Sequence, residues 1–449
     1  MEDKKKNKKM KKILKTIFII SISVIIIELI IMLVMKILNE RKMDRVDTLN
    51  DIITVDDGYI AVGTSDFHNS DFVKEKKYDY VSSISNKKRR IVASQARLVK
   101  MDKNKNIIWE STFPGEYDSS FYSVLKVDDG YMAVGSYISK EKQIDAETRD
   151  GIIVKYDLDG KYLWHKDYSV LSDTEFYKII KDNENFIVVG QSIYENMELG
   201  NHYTGGGIIV KYDKDGNVLA NNNYGGNKSG LFNDVIKVSD GYIACGRDGS
   251  NYGILVKFPN DFQRDENDHE LISKKVSWQR TYSNTNTNGF TKMLLLNDTI
   301  YLSGSINISD QKDDKGNIIF KYDAGIVTYN VKGKYLGKYS FGGDKDDCYT
   351  SITSDGVYLY LTGITNSSDL DIDNFSNNDK TNSFIAKYNL KGELLNKVAF
   401  IGNENDLFNN LKITDDKLLI IGTSNSTCDL YGCDYHSFTK TYDKELKAE

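Results

Sequence analysis

A short block of turn, apolar strand and glycine recurs seven times in this chain of 449 residues, and it limits the fold more than any other feature. The glycines that end successive blocks are 72, 55, 56, 58, 59 and 59 residues apart. They are Gly63, Gly135, Gly190, Gly246, Gly304, Gly363 and Gly422. A repeat of this length is typical of architectures in which each copy is one supersecondary unit.

Each copy predicts four strands. Fourteen residues before the glycine there is a large apolar or aromatic residue, and a second apolar run follows the glycine after a loop of variable length. A tight turn then leads to a last strand that ends in an aromatic residue. Four short strands repeated seven times predict an all-β, seven-bladed β-propeller over residues 47–449. The first copy contains a long insertion, and the last copy lacks its fourth strand.

Three details of the repeat predict how the blades pack. The glycine in each second strand permits a close approach of the neighbouring strand. Trp109, Trp164 and Trp278 share one position in the fourth strand, which favours packing between blades. Only six residues follow Asp443, so we expect a last blade of three strands, or at most a very short fourth strand. The amino terminus then supplies no strand to this blade, and Leu49 and Ile52 close the ring against the sheet that ends at Phe438.

The first 46 residues predict a membrane anchor. We divide them into a basic cytoplasmic tail at 1–12, a transmembrane signal anchor at 13–38 and a short linker at 39–46. The apolar run has about 20 residues, which as a helix span roughly 30 Å, the thickness of a bilayer core. Eight lysines precede it, so the positive-inside rule predicts a single-pass protein of the cell membrane with the propeller outside the cytoplasm.

Glu28 lies inside the apolar run. An intramembrane carboxyl group either pairs with a partner helix or is tolerated, in its protonated form, by a strong anchor. The sequence leaves both interpretations open.

Charge and cysteine content limit the partners. Residues 39–449 contain 50 basic and 62 acidic residues, a net charge of −12, which argues against nucleic acid as a ligand. Four cysteines make no disulfide framework. Cys428 and Cys433 form either a disulfide across the loop between them or two free thiols. Cys245 lies in a strand pattern and is expected to be a small buried residue.

The repeats resemble bacterial exported β-propeller repeats of the SBBP kind. The motifs that carry the resemblance are Tyr224-Gly225-Gly226, Phe341-Gly342-Gly343 and the segment Asp355 through Thr365. The resemblance covers residues 47–449 and implies a propeller on an exported or membrane-anchored protein. It implies no catalytic set, because such propellers share none.

One acidic segment is a candidate metal site. Asp369, Asp371 and Asp373 alternate along the loop after the sixth glycine, and alternate carboxylates can direct oxygen ligands at one Ca²⁺. The alternative is a solvated acidic loop. We predict no catalytic residue and no other cofactor, since the sequence has neither H-E-x-x-H nor G-x-S-x-G.

The loops after the second strands are the predicted binding face, because variable loops on a rigid frame usually carry specificity. Their aromatic residues are Phe67, Phe72, Tyr78, Tyr80, Tyr194, Tyr203, Phe375, Tyr431 and Tyr435. We expect a non-enzymatic binding or scaffolding module for a cell-envelope glycan or protein. The alternatives are an envelope hydrolase or lyase that uses the axial pocket, and an assembly factor for an envelope complex. Converging carboxylates in the pocket favour the enzyme.

Overall fold

The computed structural model describes residues 47–448 with gaps. The residues outside the description are 1–46, 66–76, 82–87, 93, 116, 140–148, 169–172, 197–201, 225–229, 263–275, 310–319, 374, 376–379, 403–404, 430–431 and 449. The tail, anchor and linker predicted for 1–46 therefore stay predictions. Within the part of the chain that is described, no helix is long and apolar enough to cross a membrane.

The described residues form the predicted seven-bladed propeller. Six blades are antiparallel sheets of four strands each, and the strands of each blade follow one another along the chain except where the first blade contains an insertion. Blades one to three contain β1 (Asp47–Val55), β2 (Gly58–Ser65), β5 (Gln95–Asp102) and β6 (Ile107–Thr112); β7 (Ser119–Val127), β8 (Gly130–Tyr137), β9 (Asp150–Tyr156) and β10 (Tyr162–Tyr168); β11 (Asp173–Asp182), β12 (Asn185–Asn196), β13 (His202–Tyr212) and β14 (Val218–Tyr224). The insertion in blade one forms the separate hairpin β3 (Lys77–Val81) and β4 (Lys88–Val92).

The remaining blades follow the same order. Blades four to seven contain β15 (Leu231–Val238), β16 (Gly241–Arg247), β17 (Gly253–Pro259) and β18 (Trp278–Tyr282); β19 (Thr285–Leu296), β20 (Thr299–Asn307), β21 (Tyr322–Asn330) and β22 (Tyr335–Phe341); β23 (Asp347–Ser354), β24 (Tyr358–Thr365), β25 (Asn382–Asn389) and β26 (Leu394–Phe400); β27 (Asp406–Thr414), β28 (Lys417–Asp429) and β29 (Gly432–Tyr442). The described residues of 47–427 and 434–448 belong to one compact unit, and the described residues of 428–433, at the ends of β28 and β29, belong to another.

Among the described residues the last blade has three strands, as the sequence predicts. The sheet has the order β27-β28-β29, and after it the chain adds a single bridge between Tyr442 and Ala448. The seam between blades seven and one is closed by side chains. Leu49 and Ile52 share a buried apolar cluster with Leu419 and Ile421 of β28, as the sequence predicts. No strand from the described amino-terminal residues enters blade seven.

The repeated glycines have the predicted role. In β12, a Cβ atom on Gly190 would lie 1.9 Å from the carbonyl oxygen of Glu175 in the neighbouring first strand. The equivalent Cβ on Gly63 would lie 1.9 Å from the carbonyl oxygen of Thr48. No side chain fits such a space, so the glycine allows the two inner strands of a blade to lie together.

The packing predicted for the tryptophans is confirmed for two of them. Gly160, in the β9–β10 turn of blade two, has a φ of +80°, and a Cβ there would lie 2.5 Å from the ring of Trp109 in blade one. Gly216 has a φ of +79° and presents the same arrangement to Trp164 at 2.6 Å. Each indole ring therefore covers a left-handed turn of the next blade, where only glycine fits.

Candidate functional site at the propeller axis

Every first strand contains a register irregularity at the same place. In β1 the register shifts between Leu49 and Asp51, so Asn50 is the extra residue of a β-bulge. The other six first strands shift at the equivalent position. Bulges redirect side chains and are common near functional sites. The seven extra residues are Asn50, Tyr122, Tyr177, Asn233, Thr291, Thr350 and Asn409, and we call them the bulge ring.

Five residues of the bulge ring link their blade to the next. Asn50 Nδ2 donates to the carbonyl oxygen of Phe121 in blade two at 2.7 Å. Asn233, Thr291 and Thr350 make the equivalent bond to the following blade, at 2.8, 2.8 and 2.6 Å. Asn409 Nδ2 donates to the carbonyl oxygen of Leu49 at 3.0 Å and so crosses the seam. A side-chain hydrogen bond therefore crosses the seam, where the described residues supply no fourth strand.

The two remaining positions of the ring hold tyrosines. The rings of Tyr122 and Tyr177 meet edge to face, with their centroids 5.3 Å apart. Tyr177 Oη donates to Glu175 Oε2 at 2.5 Å, and Arg149 Nη1 lies 3.2 Å from Glu175 Oε1. Burial, followed by the charge of Glu175, raises the pKa of both phenols. Both tyrosines are therefore neutral at physiological pH.

A cavity of about 420 Å³ lies inside the bulge ring and is open to solvent. All seven residues of the bulge ring line it, together with Leu231, Arg247 and Lys292. Because the lining comes from every blade, the cavity lies on the propeller axis. Leu231 at the start of β15 pairs with Arg247 at the end of β16, so the mouth opens where second strands end. That is the face of the loops that the sequence predicts to bind ligand.

Ionisable residues lie next to the bulge ring along the first strands. The residues that follow the ring positions are Asp51, Ser123, Lys178, Asp234, Lys292, Ser351 and Asn410. Asp51 Oδ2 accepts a hydrogen bond from Ser123 Oγ at 2.8 Å, and Lys178 Nζ lies 3.5 Å from the same oxygen. Asn410 Nδ2 donates to Asp51 Oδ1 at 3.0 Å. Asp51 and Lys178 belong to blades one and three, which are not adjacent, so they meet at the axis.

The pKa values of this axial cluster reflect mutual charge pairing. Burial disfavours the ionised form of Asp51, but Lys178, Lys412 and Lys292 together hold its pKa well below the usual range. Burial also opposes the charge of Lys178, yet Asp51 and Asp234 raise its pKa above the ordinary value. Burial lowers the pKa of Lys412, and the positive charges of Lys178 and Lys292 add to this effect.

The candidate calcium residues have separate partners. Asp369 Oδ1 accepts a hydrogen bond from the amide of Asp344 at 2.6 Å, whereas Asp371 Oδ2 lies 2.5 Å from Lys397 Nζ. The alternation has a packing reason, because the intervening Leu370 and Ile372 are buried in the core of blades five and six. Among the residues described, no three His, Cys, Asp or Glu side chains are grouped so that they could hold a metal ion. Calcium binding here stays a prediction.

The other predicted residues are placed only in part. Phe67, Phe72 and Tyr431 lie outside the described residues. For six others only the strand is described: Tyr78 and Tyr80 lie in β3, Tyr194 in β12, Tyr203 in β13, Cys428 in β28 and Cys433 in β29. Phe375 is half-buried and packs against the core of blades five and six, and Tyr435 is half-buried in β29. The disulfide stays a prediction. Cys245 is fully buried, as predicted.

No protein-family model and no curated protein matches the chain. Several solved structures resemble it. Hydrazine synthase from Kuenenia stuttgartiensis has a TM-score of 0.43 and 10% identity, over 73% of this chain and 86% of that one. The phage phi92 endosialidase has a TM-score of 0.42 and 10% identity, over 88% and 68%. A DUF4221 family member from Bacteroides vulgatus has a TM-score of 0.31 and 8% identity, over 88% and 99%. These similarities are too low to assign an activity.

Proposed function

We propose that this chain is a non-enzymatic binding module that takes a cell-envelope glycan or protein at the mouth of the axial cavity. The observation that carries the proposal is the bulge ring, since seven bulges at one register direct seven polar side chains around one open cavity. In this proposal the predicted anchor at 13–38 holds the propeller outside the cytoplasmic membrane.

The chemistry of the cavity suits a ligand rich in hydroxyl groups. Three asparagines and two threonines line it. Asn50 donates one bond to the next blade and, among the described residues, keeps another donor hydrogen and an acceptor oxygen. Tyr122 and Tyr177 add two aromatic rings, which combine an apolar surface with a polar hydroxyl group. Apolar walls with a few convergent polar groups are typical of small-ligand sites.

The ionisable groups support binding over hydrolysis. Glycoside hydrolysis usually needs two carboxyl groups on either side of the bond that is cleaved. Of the ten described residues that line the cavity, none is an aspartate or a glutamate. The described lining thus supplies no pair of converging carboxylates, which would favour the hydrolase alternative.

Capture from envelope extracts tests the proposal. Full-length wild-type protein should retain an envelope glycan or protein, and Tyr177→Ala should retain at least tenfold less because it removes one aromatic wall of the cavity. Tyr252→Ala is the matched control, since Tyr252 is an exposed tyrosine of the short loop on the same face but does not line the cavity. Equal retention by wild type and Tyr177→Ala, or cleavage of the captured glycan, would contradict the proposal.

A further inference from the structure

We infer that the axial cavity binds an anionic group, so that the ligand is a hydroxyl-rich molecule with a negative charge, the chemistry of an acidic sugar residue. This inference rests on the proposed function and specifies its ligand. It comes from the sign of the charges at the cavity, from a lysine without a close ion-pair partner and from the polar lining around it.

The charged side chains at the cavity have the opposite sign to the net charge of the protein. The chain has a net charge of −6, yet the only ionisable side chains with a full charge among the described lining residues are Arg247 and Lys292. Arg247 Nη1 donates to Asn251 Oδ1 at 2.5 Å, which leaves other donors of the guanidinium group. A cleft with charges of one sign concentrates their field and attracts the opposite ion.

Lys292 makes no close ion pair with a described residue. Within the described residues, no carboxylate oxygen lies within 4 Å of its Nζ atom. The two nearby aspartates have other partners: Asp51 pairs with Lys178, and Asp234 Oδ2 accepts the amide of Met293 at 2.9 Å. The axial cluster therefore has three lysines, with Lys412 as the third, against two aspartates. The cluster thus has one more positive charge than negative charges, and a bound anion would balance it.

The rest of the lining defines the class of anion. An Arg guanidinium group binds carboxylate or phosphate oxygens through paired hydrogen bonds, while a lysine acts as a point charge. The bulge ring surrounds these cations with amide, hydroxyl and phenol groups that suit sugar hydroxyls. A volume of about 420 Å³ lies within the range of small-ligand sites. A sugar ring that carries a carboxylate or phosphate meets all of these features.

Calorimetric titration of the full-length protein tests the inference, with glucuronic acid as the probe and glucose as the neutral control. We expect glucuronic acid to bind at least tenfold more tightly than glucose. Lys292→Met should weaken glucuronic acid binding at least tenfold, and Lys292→Arg should restore most of it. Lys338→Met is the control, because Lys338 is exposed on the outer strand of the same blade. If Lys292→Met does not fold, Arg247→Met provides the same test.

The following outcomes distinguish the proposed binding function from the inference that the ligand is an anion. Equal affinity for glucose and glucuronic acid, or unchanged affinity in Lys292→Met, would overturn the inference. If glucose 6-phosphate binds and glucuronic acid does not, the result would support an anion site specific for phosphate. If envelope capture depends on Tyr177 while Lys292→Met captures like wild type, the proposed function stands and the inference about the anion is wrong.

Discussion

Asp51 connects several blades at the axis, and we predict that Asp51→Asn destabilises the propeller strongly. Its Oδ2 atom accepts hydrogen bonds from Ser123 Oγ and from the amide of Val124, at 2.8 and 3.3 Å, and lies 3.5 Å from Lys178 Nζ. Its Oδ1 atom accepts Asn410 Nδ2 at 3.0 Å. Both carboxylate oxygens of Asp51 accept hydrogen bonds. An asparagine at this position, in either orientation of its amide, would therefore place its NH₂ group against one of these hydrogen-bond donors. The substitution also leaves Lys178 without its nearest negative charge.

The expected loss follows from the burial of this pair. Removal of one partner of a buried ion pair typically costs about 3–5 kcal/mol, because the remaining charge is uncompensated. The double variant Asp51→Asn/Lys178→Met should recover part of this loss, since it removes the unpaired cation as well. Asp56→Asn is the control: Asp56 pairs with Lys126 at 3.2 Å, but its side chain is 97% exposed, and such pairs contribute little to stability.

Urea unfolding followed by circular dichroism measures the difference. The prediction is refuted if the free energy of unfolding of Asp51→Asn lies within 1 kcal/mol of wild type, or if Asp51→Asn and Asp56→Asn lose equal amounts. The pH dependence gives an independent check. Because the pKa of Asp51 is lowered in the folded state, its stabilisation is present above its unfolded pKa, near 4, and decreases as the pH falls below it.

Three further outcomes are expected. Gly190→Ala should cost about 1–3 kcal/mol in urea unfolding, because the new Cβ meets a backbone carbonyl; Gly337→Ala, where the nearest atom is 3.8 Å away, should cost much less, and equal losses would contradict the packing argument. Burial raises the pKa of Asp347 to about 6, so its ionisation opposes folding. As the pH rises from about 4 to about 6, the melting temperature of wild type should therefore fall relative to that of Asp347→Asn. Melting temperatures that change in parallel with pH would disprove this. Protease added to intact, wall-stripped cells should digest the propeller and spare the tail, whereas a protected carboxyl terminus would contradict the predicted topology.

The architecture could be predicted from the sequence because the repeat encodes it locally. Seven copies give seven blades, and the fixed glycine gives the close approach of two strands. These features depend on residues within one copy. The predicted roles of Gly190 and Cys245 are local in the same sense.

The axial site could not be predicted because it combines residues from different copies. Asp51 and Lys178 are more than 100 positions apart, and only closure of the ring brings them together. The bulges also interrupt the alternation of inward and outward side chains, so a simple strand pattern does not indicate where Asn50 or Thr291 points. One signal was available: the position after each repeated large residue holds only asparagine, threonine or tyrosine.

Hydrogen exchange with and without bound ligand tests most directly whether the axial cavity is the binding site. Full-length protein saturated with glucuronic acid, or with the glycan captured from the envelope, should exchange more slowly in β15 and β19 and at the end of β16, which supply the cavity residues Asn233, Thr291 and Arg247. The outer strands β22 and β26 should be unchanged. Protection confined to residues 66–94, with none in the first strands, would contradict the account and place the ligand on the loops.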